Sequence, residues 1–143
     1  MGNRQILHFI AADTRMCMEL SAIKKVLPLV KLEQVPSSPI YLVGLMNLSG
    51  KTIPVIDLAL YSGLSRQDTY SVDMPVLLCE YNATVVGFIV DRVIGLSDVG
   101  DSKIQLQKEF NKNDSFFSGS VIDEQESSLL VNLPDLMKRV SIL

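Results

Sequence analysis

The segment Ser49-Gly50-Lys51-Thr52 contains the Gly-Lys-Thr of a phosphate-binding loop. Such a loop needs four residues between its two glycines, so that successive backbone N–H groups surround the phosphates, and it must open a helix. Here five residues separate Gly44 from Gly50, and the following residues 53–56 are β-branched strand sequence with one proline. The segment therefore predicts a β-turn and not a nucleotide site.

The other reactive side chains lack catalytic companions. The single histidine, His8, lies in an apolar, strand-like segment, and the two cysteines, Cys17 and Cys79, lie inside apolar runs. A nucleophile needs a base beside it, so we predict a histidine that is hydrogen-bonded or at a strand edge, and buried structural thiols. The acidic groups at 98–101 and 123–126 are typical of solvated turns and have no zinc or EF-hand spacing. We therefore predict no catalytic residue, no metal site and no cofactor.

Composition sets the class of protein. The chain has 143 residues, of which 48% are apolar and 20% charged, with a net charge of −3. This predicts one folded domain, or two very small ones, rather than a disordered chain. The apolar runs are far shorter than the roughly 20 residues of a membrane span. A slightly acidic chain also lacks the basic surface of a nucleic-acid binder, and without a signal-peptide core at its start we expect it in the cytoplasm.

Short apolar and β-branched runs between turns predict a mainly β fold. We expect strands at 5–12, 16–20, 29–35, 41–48, 52–56, 76–81, 84–90, 94–99, 118–122 and 128–131. Two short helices are expected, one capped by Asp57 and one capped by Asn132. Ser21 is expected to begin a brief turn or helix.

The remaining segments read as connections. The polar stretch 64–73 is the best candidate linker, and 98–114 is expected to be a long loop. Pro54 lies inside a strand-like run, where it favours an edge strand or a bulge because it has no N–H to donate.

A faint internal repeat accompanies these elements. Gly44 is followed thirteen residues later by Asp57, and Gly119 is followed thirteen residues later by Asn132. In each case a turn and an apolar strand lie between, and a helix-like run follows. The pattern indicates two related small barrels.

Three phenylalanines, Phe110, Phe116 and Phe117, lie in an otherwise polar region. Aromatic side chains contribute strongly to interfaces, so one or more could anchor a partner. The other interpretation is that they fold back over the core.

The segment 41–58, YLVGLMNLSGKTIPVIDL, resembles the hallmark segment of CheW-type chemotaxis adaptors. The resemblance continues through 86–93, VGFIVDRV, and ends at 129–133, LLVNL, so that it covers nearly the whole chain. It implies a mainly β fold of two small five-stranded SH3-like β-barrels that share an apolar core, with short helices, in a single CheW-like domain over 1–143.

The resemblance also implies a function. Such a protein is a non-catalytic scaffold that couples the cytoplasmic tip of a methyl-accepting chemoreceptor to the regulatory domain of the histidine kinase CheA. The implied location is the cytoplasm, at membrane-associated receptor arrays, with no nucleic-acid partner and no insertion into the membrane. The receptor tip would lie in the groove between the two barrels.

The resemblance assigns roles to individual residues. Positions around the receptor groove are matched by Ile23, Lys25, Gly44, Asn47, Ser49, Val76 and Leu96. An aromatic position at a kinase contact is matched by Phe110. Structural roles, through close backbone approach, an edge strand and caps, are implied for Pro54, Asp57, Gly87 and Asp91.

Two positions depart from the family pattern. Ser49 stands where arginine is usual, and a hydroxyl offers one donor where a guanidinium offers five. Lys25 stands where an acidic residue is common. An alternative is therefore an auxiliary adaptor that binds the kinase without normal receptor binding, or that serves a pilus or surface-motility pathway. A more distant alternative is a small β-barrel enzyme.

Overall fold

The computed structural model describes residues 3–66, 69–106, 116–123 and 125–140. Within them the strands are β1 (Arg4–Ala11), β2 (Thr14–Glu19), β3 (Ile23–Pro28), β4 (Leu42–Leu48), β5 (Lys51–Asp57), β6 (Pro75–Tyr81), β7 (Thr84–Ile89), β8 (Arg92–Val99), β9 (Ile104–Leu106), β10 (Phe117–Asp123) and β11 (Glu126–Val131). The α-helices are α1 (Leu58–Tyr61) and α2 (Leu133–Val140), and 3₁₀ turns occupy Leu20–Ala22 and Asp101–Lys103. The predicted mainly β fold with short helices is confirmed. None of the helices in the described part of the chain has the length and apolarity to span a bilayer.

The chain forms two compact units. The first contains the residues up to Ala22 and those from Val93 onward, and the second contains Ile23–Arg92. The chain therefore passes between units after Ala22 and after Arg92, and the segment 64–73, predicted as the linker, lies inside the second unit. The segment was predicted to be a linker because it is polar. Two of its residues, Arg66 and Tyr70, instead form hydrogen bonds with Asp57 at the end of β5.

The sheet of the second unit closes on itself. Its strand order is β3-β6-β7-β5-β4, with β5 and β7 parallel and the other pairs antiparallel. After β3 the chain continues to Glu33, which forms a bridge with Leu45 of β4 through two backbone hydrogen bonds of 2.8 Å. The continuation of one edge strand thus pairs with the other edge strand, as in a small barrel.

The sheet of the first unit has the same plan. Its order is β8-β1-β2-β11-β10-β9, and its parallel pair is β11 with β2. The strand β9 pairs with β10 in the position where the second unit has only the bridge at Glu33. The first sheet therefore has six strands instead of the predicted five, because a single bridge in one unit is a three-residue strand in the other.

The internal repeat corresponds to a hairpin followed by a helix in each unit. In the second unit β4, β5 and α1 follow in order, and in the first unit β10, β11 and α2 do so. Asp57 accepts hydrogen bonds from the N–H groups of Ala59 and Leu60 at 2.9 and 3.3 Å. Asn132 accepts one from the N–H of Asp135 at 3.1 Å. Both predicted helix caps are confirmed, since each satisfies N–H groups that have no partner within the helix.

Three hairpins use two-residue turns in which both central residues have positive φ. They are Ala12-Asp13, Ser49-Gly50 and Asn82-Ala83. This is the type I′ geometry, whose twist matches that of the flanking strands. The turn at Ser49-Gly50 joins β4 directly to β5, so the predicted β-turn is confirmed and the Gly-Lys-Thr segment does not open a helix.

Several local predictions were wrong. The brief turn expected at Ser21 is present as the 3₁₀ turn Leu20–Ala22, but the residues after it form β3 and not a helix. The predicted strand at 29–35 is reduced to the bridge at Glu33, and β9 lies in the predicted loop. The strands β3 and β9 form because they pair with β6 and β10, and this pairing overrides the local preference of the sequence.

Pro54 lies on β5, which is an interior strand and not an edge strand. Its partner in β4 is Leu45, but Leu45 directs both of its backbone groups to Glu33. Pairing with β7 begins only at Val55. The missing N–H of Pro54 therefore costs no sheet hydrogen bond, which is why an interior strand tolerates it.

Each unit has its own apolar cluster. The second unit buries Met46, Ile53, Val55, Met74, Val76, Leu78 and Ile89 together. The first buries Ile6, Cys17, Val99, Val121 and Leu130, with Ile104 packed against them. These clusters come from residues that alternate along the strands, so burial sets the register of each pair.

Gly44 is the position at which we expect the closure of the second unit to be most sensitive. A Cβ added there would lie 2.7 Å from the carbonyl oxygen of Glu33 and 2.9 Å from the Cβ of Leu32. Gly44→Ala should therefore lower the free energy of unfolding by about 1–3 kcal/mol, as overpacking does in a core. Denaturant unfolding measures it. Gly100→Ala is the matched control, since its Cβ would meet only Asn3 Oδ1 at 3.4 Å; equal losses in the two variants would contradict the expectation.

Candidate functional site

The structure divides the predicted receptor-contact residues by exposure. Six of them, Ile23, Lys25, Gly44, Asn47, Ser49 and Val76, belong to the second unit, and Leu96 belongs to the first. Lys25, Asn47, Ser49 and Leu96 are exposed, Ile23 is half-buried, and Gly44 and Val76 are buried. Five of the seven side chains are thus available to a partner.

The hairpin turn between β4 and β5 presents two of the exposed residues. Ser49 has φ of +51° and Gly50 has φ of +81°. Asn47 Oδ1 accepts a hydrogen bond from the N–H of Gly50 at 3.2 Å, which holds the turn from its base. The side chain of Ser49 therefore projects from a turn whose backbone has little freedom.

The two buried residues of the set shape the barrel. Gly44 admits the close passage of Leu32 and Glu33, as described above. Val76 is fully buried on β6, and a Cβ added at Gly87 would lie only 2.8 Å from its Cγ1. Gly87 thus lies where the backbone of β7 comes close to a core side chain, so an alanine there would displace Val76.

A cleft lies beside β4 at the place where the barrel closes. It has a volume of about 290 Å³. The residues that line it are Lys31, Leu32, Glu33, Leu45, Met46, Asn47 and Thr52. Asn47 joins this cleft to the hairpin turn, so the predicted contact residue borders a concave, partly polar surface.

Of the three phenylalanines singled out in the sequence, the structure describes Phe116 and Phe117. Phe110, the predicted kinase contact, lies outside the described residues. Phe116 is 5% exposed and packs on Phe117 with ring centroids 4.6 Å apart. For Phe116 the interpretation of an aromatic ring folded over the core is confirmed.

A buried carboxylate organises the end of β5. Asp57 has no exposed surface, and Arg66, which is 6% exposed, donates from Nε to Oδ2 and from Nη2 to Oδ1. The hydroxyl of Tyr70 also donates to Oδ2 at 2.7 Å. Arg66 further donates to Asp91 from Nη1 and Nη2 at 3.2 and 2.9 Å. One guanidinium thus bridges two carboxylates, in the fork geometry that arginine supports.

Burial, hydrogen bonds and charges within this cluster determine the protonation states of Arg66 and Tyr70. Although burial opposes the charge of Arg66, hydrogen bonds to Asp57 and Asp91 raise its pKa further above its ordinary value. Burial and the hydrogen bond to Asp57 raise the pKa of Tyr70. The arginine therefore stays cationic and the phenol stays protonated over the physiological range.

Sequence reasoning found only part of this cluster. The cap role of Asp57 was visible because a helix followed it. Asp91 caps no helix, since it stands at a bend before β8, and its carboxylate instead binds Arg66. Arg66 and Tyr70 were missed because they lie in the polar stretch that resembled a linker, and no local pattern connects them to Asp57.

A second polar cluster surrounds His8 in the first unit. His8 is 2% exposed, and its two ring nitrogens lie 2.9 Å from Ser128 Oγ and 2.7 Å from Ser97 Oγ. Arg15 Nε donates to Ser128 Oγ at 2.8 Å, and Arg15 also pairs with Glu126 at 2.6 Å. Both ring nitrogens are satisfied, so the interpretation of a hydrogen-bonded structural histidine is confirmed.

The chemistry available for catalysis is correspondingly small. Ser128 is fully buried beside His8, so no substrate reaches the pair. Burial raises the pKa of both the Cys17 and Cys79 thiols to about 12, so both are protonated and unreactive. Within residues 3–66, 69–106, 116–123 and 125–140, no group of three or more His, Cys, Asp or Glu could hold a metal ion.

Comparison with known proteins identifies the family. A family model described as the CheW-like domain matches residues 5–141. The chain belongs to the CheW-like domain family. The chemotaxis protein CheW of Rhizobium meliloti (strain 1021) is 26% identical over 136 residues, which cover 92% of this chain and 86% of that protein. CheW of Thermotoga maritima is 22% identical over 138 residues, covering 96% of this chain and 90% of that one.

A solved structure has the same fold. The crystal structure of the scaffolding protein TtCheW from Thermoanaerobacter tengcongensis superimposes with a TM-score of 0.81 at 23% sequence identity, covering 90% of this chain and 88% of that chain. The family consists of non-catalytic scaffold proteins, and membership gives this chain an adaptor role in chemotaxis signalling. The predictions of a CheW-like domain, of an adaptor and of a protein that is not an enzyme are confirmed.

The Asp57 cluster generates a stability prediction. Arg66→Met would leave the buried Asp57 carboxylate without its cation, and breaking a buried pair in this way costs about 3–5 kcal/mol. Denaturant unfolding of the purified protein measures it. Lys24→Met is the control, because the pair of Lys24 with Glu80 is more than 40% exposed on both sides and such pairs contribute about 1 kcal/mol at most. A loss at Arg66 no larger than that at Lys24 would contradict the role given to the cluster.

The His8 cluster generates a pH prediction. Burial and the charge of Arg15 lower the pKa of His8 from its ordinary value of 6.5, against the opposing charges of Asp123 and Glu126. The unfolded chain therefore binds the proton more readily than the folded one, so this contribution to stability is complete above 6.5 and is lost as the pH falls below it.

We expect His8→Gln to lose less stability than the parent chain between about pH 7 and pH 5, the range in which histidine titrates. The measurement is the free energy of unfolding at each pH for both proteins. The carboxylates titrate in both and cancel in the comparison, so parallel pH profiles would show that His8 is not the group responsible.

Proposed function

We propose that this chain couples the cytoplasmic tips of chemoreceptors to the regulatory domain of the histidine kinase CheA, as a single CheW-like domain located in the cytoplasm at receptor arrays. The observation that carries the proposal is the match to the CheW-like domain from residue 5 to residue 141. Two barrel-like units with the same strand order and few reactive groups suit a protein that acts through its surfaces.

For the receptor, we propose contact through Ile23, Lys25, Asn47, Ser49 and Leu96. The first two lie on β3, Asn47 lies near the end of β4 and Ser49 in the turn that follows it, and Leu96 on β8 is 58% exposed. They comprise two apolar side chains, one cation and two neutral hydrogen-bonding groups. Gly44 and Val76, being buried, would act by holding β4 and β6 in place. For the kinase, Phe110 remains the proposed contact.

An auxiliary adaptor is the second candidate. Ser49 occupies a left-handed turn position and offers a single hydroxyl where the family usually has an arginine. Lys25 is an exposed cation where an acidic residue is common. Both changes favour an adaptor that binds the kinase but not receptors of the common type, or one that serves a pilus or surface-motility pathway.

A titration of the purified chain with two partners distinguishes the candidates. The partners are the regulatory domain of CheA and a receptor cytoplasmic-tip fragment, each added alone and then together. Binding of both, with a ternary complex, supports the coupler, and binding of the kinase domain alone supports the auxiliary adaptor. Binding of neither would reject both candidates.

The Ser49 position gives a specific prediction. Ser49→Arg should strengthen binding to a receptor fragment of the common type by about fivefold, as expected of one solvent-exposed charged contact. Isothermal titration calorimetry measures the change. Ser49→Asn is the control, because asparagine tolerates positive φ and adds no charge. Equal or weaker affinity of the arginine variant would contradict the proposed contact.

A further inference from the structure

The strand β8 is a long sheet edge with apolar side chains. It runs over eight residues, and in the described part of the chain it pairs with β1 on one side and with no strand on the other. Its residues alternate, and Arg92, Ile94, Leu96 and Asp98 are the exposed set. Ile94 is 38% and Leu96 is 58% exposed. An unpaired edge of this kind offers a row of backbone N–H and C=O groups to another strand.

The other sheet edges of the described residues carry recognisable protection. On β3, which occupies the equivalent position in the second unit, Lys24 and Lys25 are exposed and Pro28 ends the strand. The edge of β4 is covered by the bridge from Glu33, and β9 is only three residues long. Lysines, proline, a covering segment and short length are the usual devices against edge pairing. In the described residues β8 has no lysine, no proline and no covering segment, and its two exposed charges, Arg92 and Asp98, are of opposite sign.

The sequence of β8 is complementary to itself. When two copies pair antiparallel about Gly95, Arg92 lies opposite Asp98 and Ile94 lies opposite Leu96, and each pair occurs twice by symmetry. Opposite charges and apolar pairs directly across an antiparallel ladder are stabilising. We propose that this protein forms a symmetric dimer through β8, with a second copy of the chain as the partner strand.

The centre of the proposed pairing has room for the approach. Gly95 faces its own copy at the symmetry axis, and a Cβ added to Gly95 would meet nothing within 4 Å in the single chain. No side chain therefore obstructs the two backbones where they come closest. Ser97, on the same side of the strand as Gly95, has its hydroxyl 2.7 Å from His8 Nε2 and thus lies back against its own unit.

The dimer would be closed and weak. Each copy uses its β8 edge once, so the two-fold pairing leaves no β8 edge for a third chain. A single pair of eight-residue strands buries less than the roughly 1,600 Å² of a standard interface. We therefore expect a dissociation constant on the order of 100 µM. Pairing would also cover Leu96, which is one of the proposed receptor contacts.

Sedimentation velocity over a concentration series of the full chain tests the proposal. The parent chain should pass from monomer to dimer. Arg92→Asp and Asp98→Arg should each weaken the dimer about tenfold, because like charges then face each other twice. The double variant, Arg92→Asp with Asp98→Arg, should restore it. Lys51→Asp, an exposed reversal on β5, is the control and should change nothing. A parent chain that stays monomeric, or a double variant that is no better than the single ones, would overturn the proposal.

Disulfide trapping tests the register without charge changes. In a variant with both Ile94→Cys and Leu96→Cys, the thiol at position 94 of one copy lies directly opposite the thiol at position 96 of the other copy. Their separation is within the range that a disulfide spans. The single variants place their two new cysteines diagonally, with Cα atoms about 7–8 Å apart, outside the usual range of a disulfide, and should cross-link far less. Cys17 and Cys79 are buried and do not compete. Covalent dimer from the double variant alone supports the register. Equal cross-linking by the single variants, or none by the double variant, would overturn it.

Discussion

The second unit depends on one buried carboxylate. Asp57 ends β5, caps α1, and receives hydrogen bonds from Arg66 and Tyr70. A carboxylate without exposed surface is costly unless its charge is paired and its oxygens are hydrogen-bonded. Arg66 and Tyr70, which follow α1, must therefore stay packed against the end of β5. Through Asp91, Arg66 also holds the chain where it leaves β7. A stretch that is polar in sequence is thus part of the architecture.

The two units use one plan with different local chemistry. Each has a hairpin, a helix and one parallel strand pair in the same sheet order. In the second unit the helix cap is an aspartate inside an ion-pair cluster, whereas in the first it is an asparagine with a backbone contact. The barrel closes through a single bridge in one unit and through a three-residue strand in the other. The two units thus share their strand order and differ in how the edge of each sheet is paired.

The proposed function uses the edges and turns of this fold. His8, Cys17 and Cys79 are buried and already hydrogen-bonded within the fold. The proposed receptor contacts lie on β3, on β4 and the turn that follows it, and on β8. Each of these offers backbone or side-chain groups at a rigid position, which lowers the entropy cost of binding a partner.

The sequence by itself determined the mainly β class, the caps at Asp57 and Asn132, the turn at Ser49-Gly50 and the family, because these depend on neighbouring residues. It could not place Arg66 and Tyr70 on Asp57, or Glu33 beside Leu45. It also could not tell that Val76 is buried while Leu96 is exposed. Those features arise from pairing between segments far apart in the chain. The register of that pairing decides which residues of a strand face the core and which face the solvent. Pro54 shows the same limit, since only the bridge between Leu45 and Glu33 explains how an interior strand accommodates a proline.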